Sequence, residues 1–236
     1  MGRVFEKRKH TMFARFDRMS KAFTKYGKEI AIAVKAGGPD PDSNAKLRVV
    51  IANAKSANMP KDRIEAAIKR SAGKDSSNYE EVNYEAMCMK GVGLFIETAT
   101  DNPTRTVANI RMHLNRGGGE LGKSGSLDYA FVRKSIFVIK TDNLNTEELE
   151  FELIDAGLEE IEIEENEMVI TCPFEKFGSM YKTLEEKGIV IVSAELQRIP
   201  TSVVSTLTEE EKLQVESLIE RLEEDEDVQN VYSNLA

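Results

Sequence analysis

The sequence predicts an α+β protein: a helical N-terminal bundle followed by two small α+β domains, the middle one discontinuous. Three observations predict it. Charge is split along the chain. Residues 1–80 hold 18 Lys and Arg against 9 Asp and Glu, whereas residues 81–236 hold 14 against 32. The character changes across the polar stretch 74–81, KDSSNYEE, from apolar residues spaced by threes and fours to β-prone runs such as Val92, Leu94, Phe95 and Ile96, which marks a passage from helices to strands. Beyond residue 134 the elements follow the order βαββαβ, that of a ferredoxin-like unit. The expected boundaries are 1–80 for a basic helical domain, 81–133 plus 205–236 for a discontinuous α+β domain, and 134–204 for an inserted acidic α+β domain.

The first helix is expected over 13–35. Phe13, Phe16, Met19, Phe23, Tyr26, Ile30 and Val34 recur on one face, and Arg15, Arg18, Lys21, Lys25, Lys28 and Lys35 fall on the other. Gly37-Gly38-Pro39 stops it. A second helix is expected after Asp42 or Ser43, either a good N-cap, to about Ala57. It carries Lys46, Arg48 and Lys55. A third is expected over 60–72, opened by Pro60 and ended by Gly73, with Lys61, Arg63, Lys69 and Arg70 outward. Strands are expected at 83–89, 93–99 and near 127–132, with a helix at 103–116 started by Asn102 and Pro103. Strand 135–140, helix 146–156, strands 159–164 and 167–172, helix 174–187 and strand 189–197 make the inserted unit. The tail adds helix 208–224, with Thr208 and Glu211 spaced for a capping box, and a strand at 228–232. One helix and one strand cannot build a core. Segment 83–132 lacks a second helix, so the tail is expected to complete its unit.

Composition bounds the function. With 236 residues, 41% hydrophobic and 31% charged, the chain can bury packed cores. No apolar run approaches the ~20 residues of a membrane span, so no membrane partner is expected. The opening MGRVFEKRKH carries charge where a secretory signal would be apolar. Two cysteines, Cys88 and Cys172, and two histidines, His10 and His113, support neither a disulfide scaffold nor a Cys/His zinc site. A cytoplasmic location follows.

Few residues suggest chemistry. Gly117–Ser124, GGGELGKS, spells a phosphate-loop pattern. Such a loop needs a strand before it and a helix after it; here the expected order is reversed. Its glycines are read as a chain reversal, and no nucleotide cofactor is expected. Cys88 and Cys172 fall in strands as small apolar residues. Neither histidine has a local nucleophile. The carboxylates of 146–167 and 208–227 read as solvated faces, so the chain is not expected to be an enzyme, and a nucleotide-dependent enzyme is the least favoured reading. The stretch 100–106 has two readings: Asn102 as cap and Pro103 as first residue need no ligand, which is the favoured one, while Arg105 in a first turn that the helix dipole disfavours would be explained by a specific partner.

The basic helices carry the functional signal. Arg15, Arg18, Lys21, Lys25, Lys28, Lys46, Arg48, Lys55, Lys61, Arg63, Lys69 and Arg70 lie within about sixty residues and are the candidate nucleic-acid contacts. Lys and Arg on phosphates supply sequence-independent affinity through counterion release. The acidic units would face water or a basic protein partner.

Four stretches resemble the YebC/PmpR-like family: GGPDPDSNAKLR (37–48), AKSANMPKDRIEAAIKRSAG (54–73), ETATDNPTRT (97–106) and GGGELGKSGSLDYAF (117–131). The similarity spans nearly the whole chain. It implies a helical N-terminal domain with two α+β domains, and a DNA-binding transcriptional regulator. It also implies an alternative, because mitochondrial relatives are translational activators and some bacterial members act with the ribosome, including relief of stalling. The partner would then be ribosomal RNA or tRNA. The opening MGRVFEKRKHTMFARF lacks the tryptophan of the most familiar members and is closer to a second subgroup. Lys7, Arg8, Lys9 and His10 keep its basic character.

Overall fold

The computed structural model describes residues 19–73, 78–141, 144–164 and 166–236. Among the described residues three helices come first: α1 (Met19–Gly37), α2 (Ala45–Ser56) and α3 (Lys61–Ser71). Residues 13–18 of the expected first helix, with Arg15 and Arg18, lie outside the described residues, as does the basic opening around His10. Ile30, Ala33, Val34, Leu47, Val50, Ala54, Met59 and Ile64 form one buried cluster.

The cap of α2 is Asn44, not Asp42 or Ser43. Its side-chain oxygen accepts from Leu47 N–H at 3.0 Å, while its amide nitrogen donates to the Ala33 and Gly38 carbonyls, both at 2.8 Å. One residue thus closes the end of α1 and opens α2. Asn44 lies so close to Gly37 that a Cβ there would meet its side chain at 2.8 Å. Only glycine fits at 37 without displacing the cap.

An antiparallel sheet follows, in the order β3-β1-β2-β8. Its strands are β1 (Glu80–Met87), β2 (Gly93–Thr100), β3 (Glu120–Leu121) and β8 (Val228–Ser233), with α4 (Pro103–Arg116) between β2 and β3. The tail helix α7 (Glu209–Glu223) lies on this sheet: Val215, Leu218 and Leu222 share a buried cluster with Leu94, Ile96, Ile110 and Leu114. The tail therefore supplies the second covering helix that 83–132 lacks. Thr208 and Glu211 form the expected capping box.

The second sheet, β5-β6-β4-β7, is also antiparallel. It consists of β4 (Phe131–Lys140), β5 (Glu160–Glu164), β6 (Glu167–Pro173) and β7 (Ile191–Pro200), with α5 (Thr146–Ala156) and α6 (Phe177–Glu186). Chain order and strand order are those of the expected βαββαβ unit.

Two further expectations change. The strand expected near 127–132 does not join the first sheet. Phe131–Lys140 is one continuous strand of the second sheet, and the first sheet takes Glu120–Leu121 as its edge, paired with Ala86 and Met87. The cause lies below that sheet. Leu127, Ala130 and Phe131 pack against Phe95, which draws 127–130 across the sheet as a turn. The helix expected from 174 begins with a 3-10 turn at Phe174–Lys176 and becomes α-helical at Phe177.

Candidate nucleic-acid interface

The described basic residues separate into two groups with different work. On α1, Lys21, Lys25 and Lys28 are spaced four and three apart and share a stripe. That stripe meets the acidic run Glu223–Asp227 and the start of β8. Lys21 Nζ lies 3.8 Å from Glu224, and Lys25 Nζ donates to the Gln229 carbonyl at 3.1 Å. Lys28 is turned inward, with 7% of its surface exposed. Its Nζ donates to Asp227 Oδ1 at 2.7 Å, to the Glu226 carbonyl at 2.7 Å and to the Ala99 carbonyl at 3.2 Å. The position expected to present a cation to solvent is thus corrected: Lys28 is a buried ion pair between α1 and the first sheet. A buried ammonium needs such partners because losing water is costly.

Asp227 is the centre of this joint. Its Oδ2 accepts from Arg105 Nη2 at 2.8 Å, Thr106 Oγ1 at 2.8 Å and Thr100 Oγ1 at 3.3 Å. Burial alone would raise its pKa, but donation from Lys28, Arg105 and Thr106 overcomes it and holds the carboxyl down at about 2. Arg105 also reaches Asp101 at 2.9 Å. The TDNPTRT stretch satisfies both sequence expectations. Asn102 caps α4 by accepting from Arg105 N–H at 3.1 Å, and Arg105 has its specific partner.

On α2 the first cations are also engaged. Lys46 pairs with Glu81 at 2.9 Å. Arg48 donates to the carbonyls of Pro41 and Asp42 and sits 3.4 Å from Glu185. Beside them, Asn53 is buried against the edge strand β7 of the second sheet. Its Nδ2 donates to the Ala194 carbonyl at 2.8 Å, and its oxygen accepts from Ala194 N–H at 2.9 Å. Val49 packs on that unit's core. The helical unit is therefore fastened to both sheets.

The outward group is Lys55, Lys61, Arg63, Lys69 and Arg70, all exposed. Lys61 has an i,i+4 contact with Glu65 at 3.6 Å, both side chains mostly in water. A pair of that kind contributes little. Among the described residues the other four hold no carboxylate. Arg63 and Arg70 flank a groove of about 560 Å³ between α1 and α3.

The glycine-rich loop is occupied by the protein itself. Its backbone N–H groups at Gly125 and Leu127 donate to the buried Glu85 carboxylate at 2.7 and 2.6 Å, and Ser126 Oγ donates to it at 3.1 Å. Lys123 is exposed on the outside. A helix precedes the 117–124 pattern and a two-residue strand lies within it, the reverse of a phosphate loop, and the turn just after it holds a side-chain carboxylate.

Cys88 and Cys172 are buried, and burial pushes each thiol up to about 11. His113 Nε2 lies 3.5 Å from Asp225 beside Asn109. Among the described residues no set of three His, Cys, Asp or Glu side chains is placed to hold a metal ion, and no helix is long and apolar enough to cross a membrane.

Two family models match the chain. The TACO1/YebC protein N-terminal domain covers residues 3–74, and the TACO1/YebC second and third domain covers residues 79–235. The chain belongs to the TACO1/YebC family. Among TACO1/YebC relatives, a protein of Parabacteroides distasonis named "Probable transcriptional regulatory protein" is 50% identical over all of this chain and 97% of its own length. A protein of the same name from Sulfurimonas denitrificans is 51% identical over the full length of both. The crystal structure of a conserved hypothetical protein from Aquifex aeolicus is 36% identical, covers 94% of this chain and 93% of its own, and superposes with a TM-score of 0.79. The α+β architecture read from the sequence is thus that of the TACO1/YebC family.

Three residues of the joints escaped the sequence reading: Asp227, Asn53 and Glu85. Asp227 had a readable sign. Five successive acids, Glu223–Asp227, at the C-terminal end of a helix oppose its dipole and call for cations nearby. Asn53 and Glu85 had none, because one side chain in an ordinary helix or strand does not announce its partner.

Proposed function

We propose that the protein is a transcriptional regulator that grips the phosphate backbone of duplex DNA with the outward cations of α2 and α3. The observation that supports this most is the sorting of the basic residues. Lys25, Lys28 and Arg48 are tied to the protein's own acids and carbonyls, and Lys21 and Lys46 lie in exposed pairs with Glu224 and Glu81. Lys55, Lys61, Arg63, Lys69 and Arg70 remain in water. Cations of this kind on one helical unit suit phosphate contact, which positions a protein without reading sequence. The names carried by the family relatives support the regulatory role. Arg15 and Arg18, ahead of α1, belong to the same proposal.

The acidic unit 134–204 is proposed to contact a basic protein. Phe151 and Ile154 on the outer side of α5 are 75% and 55% exposed among Glu147, Glu150 and Asp155. That surface repels polyanions and suits a basic, partly apolar segment.

Footprinting on fragments of the source genome tests the reading, with sedimentation of cell extract alongside. The expected result is protection of defined duplex sites and no migration with ribosomal particles. Migration with ribosomes at low salt, without any protected duplex, overturns it in favour of the translation factor.

A further inference from the structure

Gly27 lies in the middle of α1, where glycine costs helix stability relative to alanine. Neither backbone nor packing demands it. Its φ is not positive, and among the described residues a Cβ built there meets nothing within 4 Å. The missing side chain leaves room in the groove of about 560 Å³ between α1 and α3. That volume is within the range of small-ligand sites.

The walls suggest the occupant. Phe23 and Ala31, one turn either side of Gly27, face Ala67 across the groove, and Tyr79 adds an aromatic ring. Arg63, Ala67 and Arg70 are spaced four and three apart, so both guanidinium groups stand on the groove side of α3. Both are exposed and hold no carboxylate among the described residues. A partly aromatic cleft, with Thr24, Lys28 and Ser71 beside its apolar walls and two guanidinium groups at its rim, matches a flat heterocycle joined to phosphates. Bases stack on such surfaces whatever their identity, while arginines track the backbone.

We propose that this groove holds one unstacked nucleotide of a single-stranded nucleic acid, with its base beside Gly27 and its flanking phosphates at Arg63 and Arg70. The assignment rests on the nucleic-acid reading above and narrows it, since a fully paired duplex offers no free base. The groove's ligand is a strand or an opened segment; Arg63 and Arg70 serve it there and, with the other outward cations, also meet any phosphate backbone.

Fluorescence anisotropy of the full-length protein tests it, using a labelled 20-nucleotide mixed-sequence strand and the blunt duplex of the same sequence. Gly27→Leu should fill the groove, weaken strand binding at least tenfold, change duplex binding less than twofold and leave the melting temperature undiminished. Ala67→Leu fills the groove from the facing helix and should do the same, which guards against a fault peculiar to one variant. Arg63→Gln with Arg70→Gln should weaken strand binding with the fold intact. Strand binding unchanged in both groove-filling variants overturns the assignment, as does equal weakening of strand and duplex. Saturation of the groove by micromolar free nucleoside monophosphate would make it a small-molecule site and overturns it too. Failure of the wild-type protein to bind either form would instead remove the nucleic-acid reading, and the groove assignment with it.

Discussion

Asp227 is 3% exposed yet ionised, because Lys28 and Arg105 approach it from two different elements. Its depressed pKa makes the joint sensitive to acid. A carboxyl whose pKa is lower folded than unfolded stabilises the fold fully above its unfolded value near 4, and that contribution is lost as pH falls through about 2. Wild-type stability attributable to this group should therefore decline between about pH 4 and pH 2. Asp227→Asn should abolish that part of the pH dependence and, by leaving Lys28 buried without its counter-ion, cost roughly 3–5 kcal/mol at neutral pH. Urea titrations of both proteins across pH check it. Lys28→Met with Asp227→Leu should recover much of that loss, since replacing both charges with apolar groups is far less costly than orphaning one. No recovery would mean that Arg105, not Lys28, dominates the joint.

Individual elements begin where local chemistry starts them. The capping box of Thr208 and Glu211 starts α7, and Thr208→Ala should destabilise the protein by about 1 kcal/mol in thermal melts. The loss should appear in the whole first sheet unit, because α7 covers it. The glycine-rich loop shows an element shaped from outside. Glu85 on β1 holds the N–H groups of Gly125 and Leu127, so Glu85→Ala should release the turn that carries Leu127 beneath Phe95. Hydrogen exchange should rise across 122–130 in that variant. Lys123→Ala should change neither exchange nor melting, and neither protein should bind ATP in calorimetry. ATP binding by the wild type that disappears in Lys123→Ala would reverse the reading of this loop.

At the scale of the molecule, the helical unit is held at Asp227 on one sheet and at Ala194 on the other. The two sheets meet through Arg198, which pairs with Glu97 at 3.0 Å and lies over the Phe95 ring. Buried polar groups make the joints at Asp227 and Ala194, while the two sheets also share the apolar contact of Phe95 with Phe131, so single substitutions at the polar joints should loosen the arrangement without unfolding its parts. Asn53→Ala removes both bonds to Ala194 and should increase the radius of gyration in small-angle scattering while secondary structure is kept. The division of the cations gives a further test. Charge reversal at Lys69 and Arg70 should reduce the slope of log affinity against log salt on duplex DNA by about 1 for each phosphate no longer neutralised. Reversal at Lys28 should act mainly on stability, seen as a lower melting temperature. Equal effects of both on the salt slope would contradict the sorting of basic residues into inner and outer groups.

Much of the architecture was legible in the chain because it rests on local rules. Periodicity placed the helices, Asn102 and Thr208 marked helix starts, and the unpartnered tail had to complete the first sheet. Local signals of equal strength left the outcome open. Asp42, Ser43 and Asn44 are all good caps, and only Asn44 also reaches Ala33 across the turn. The stretch 127–132 looks strand-like by composition, but Glu85 and Phe95, some thirty to forty residues away, direct its course. The basic face follows the same rule. Residue order alone makes the helical unit cationic and the rest acidic. Which cations meet the protein's own acids and which meet water depends on how distant segments pack. Lys28 and Lys69 are alike in composition and spacing, and only the arrival of Asp227 from the far end of the chain turns one inward and leaves the other exposed.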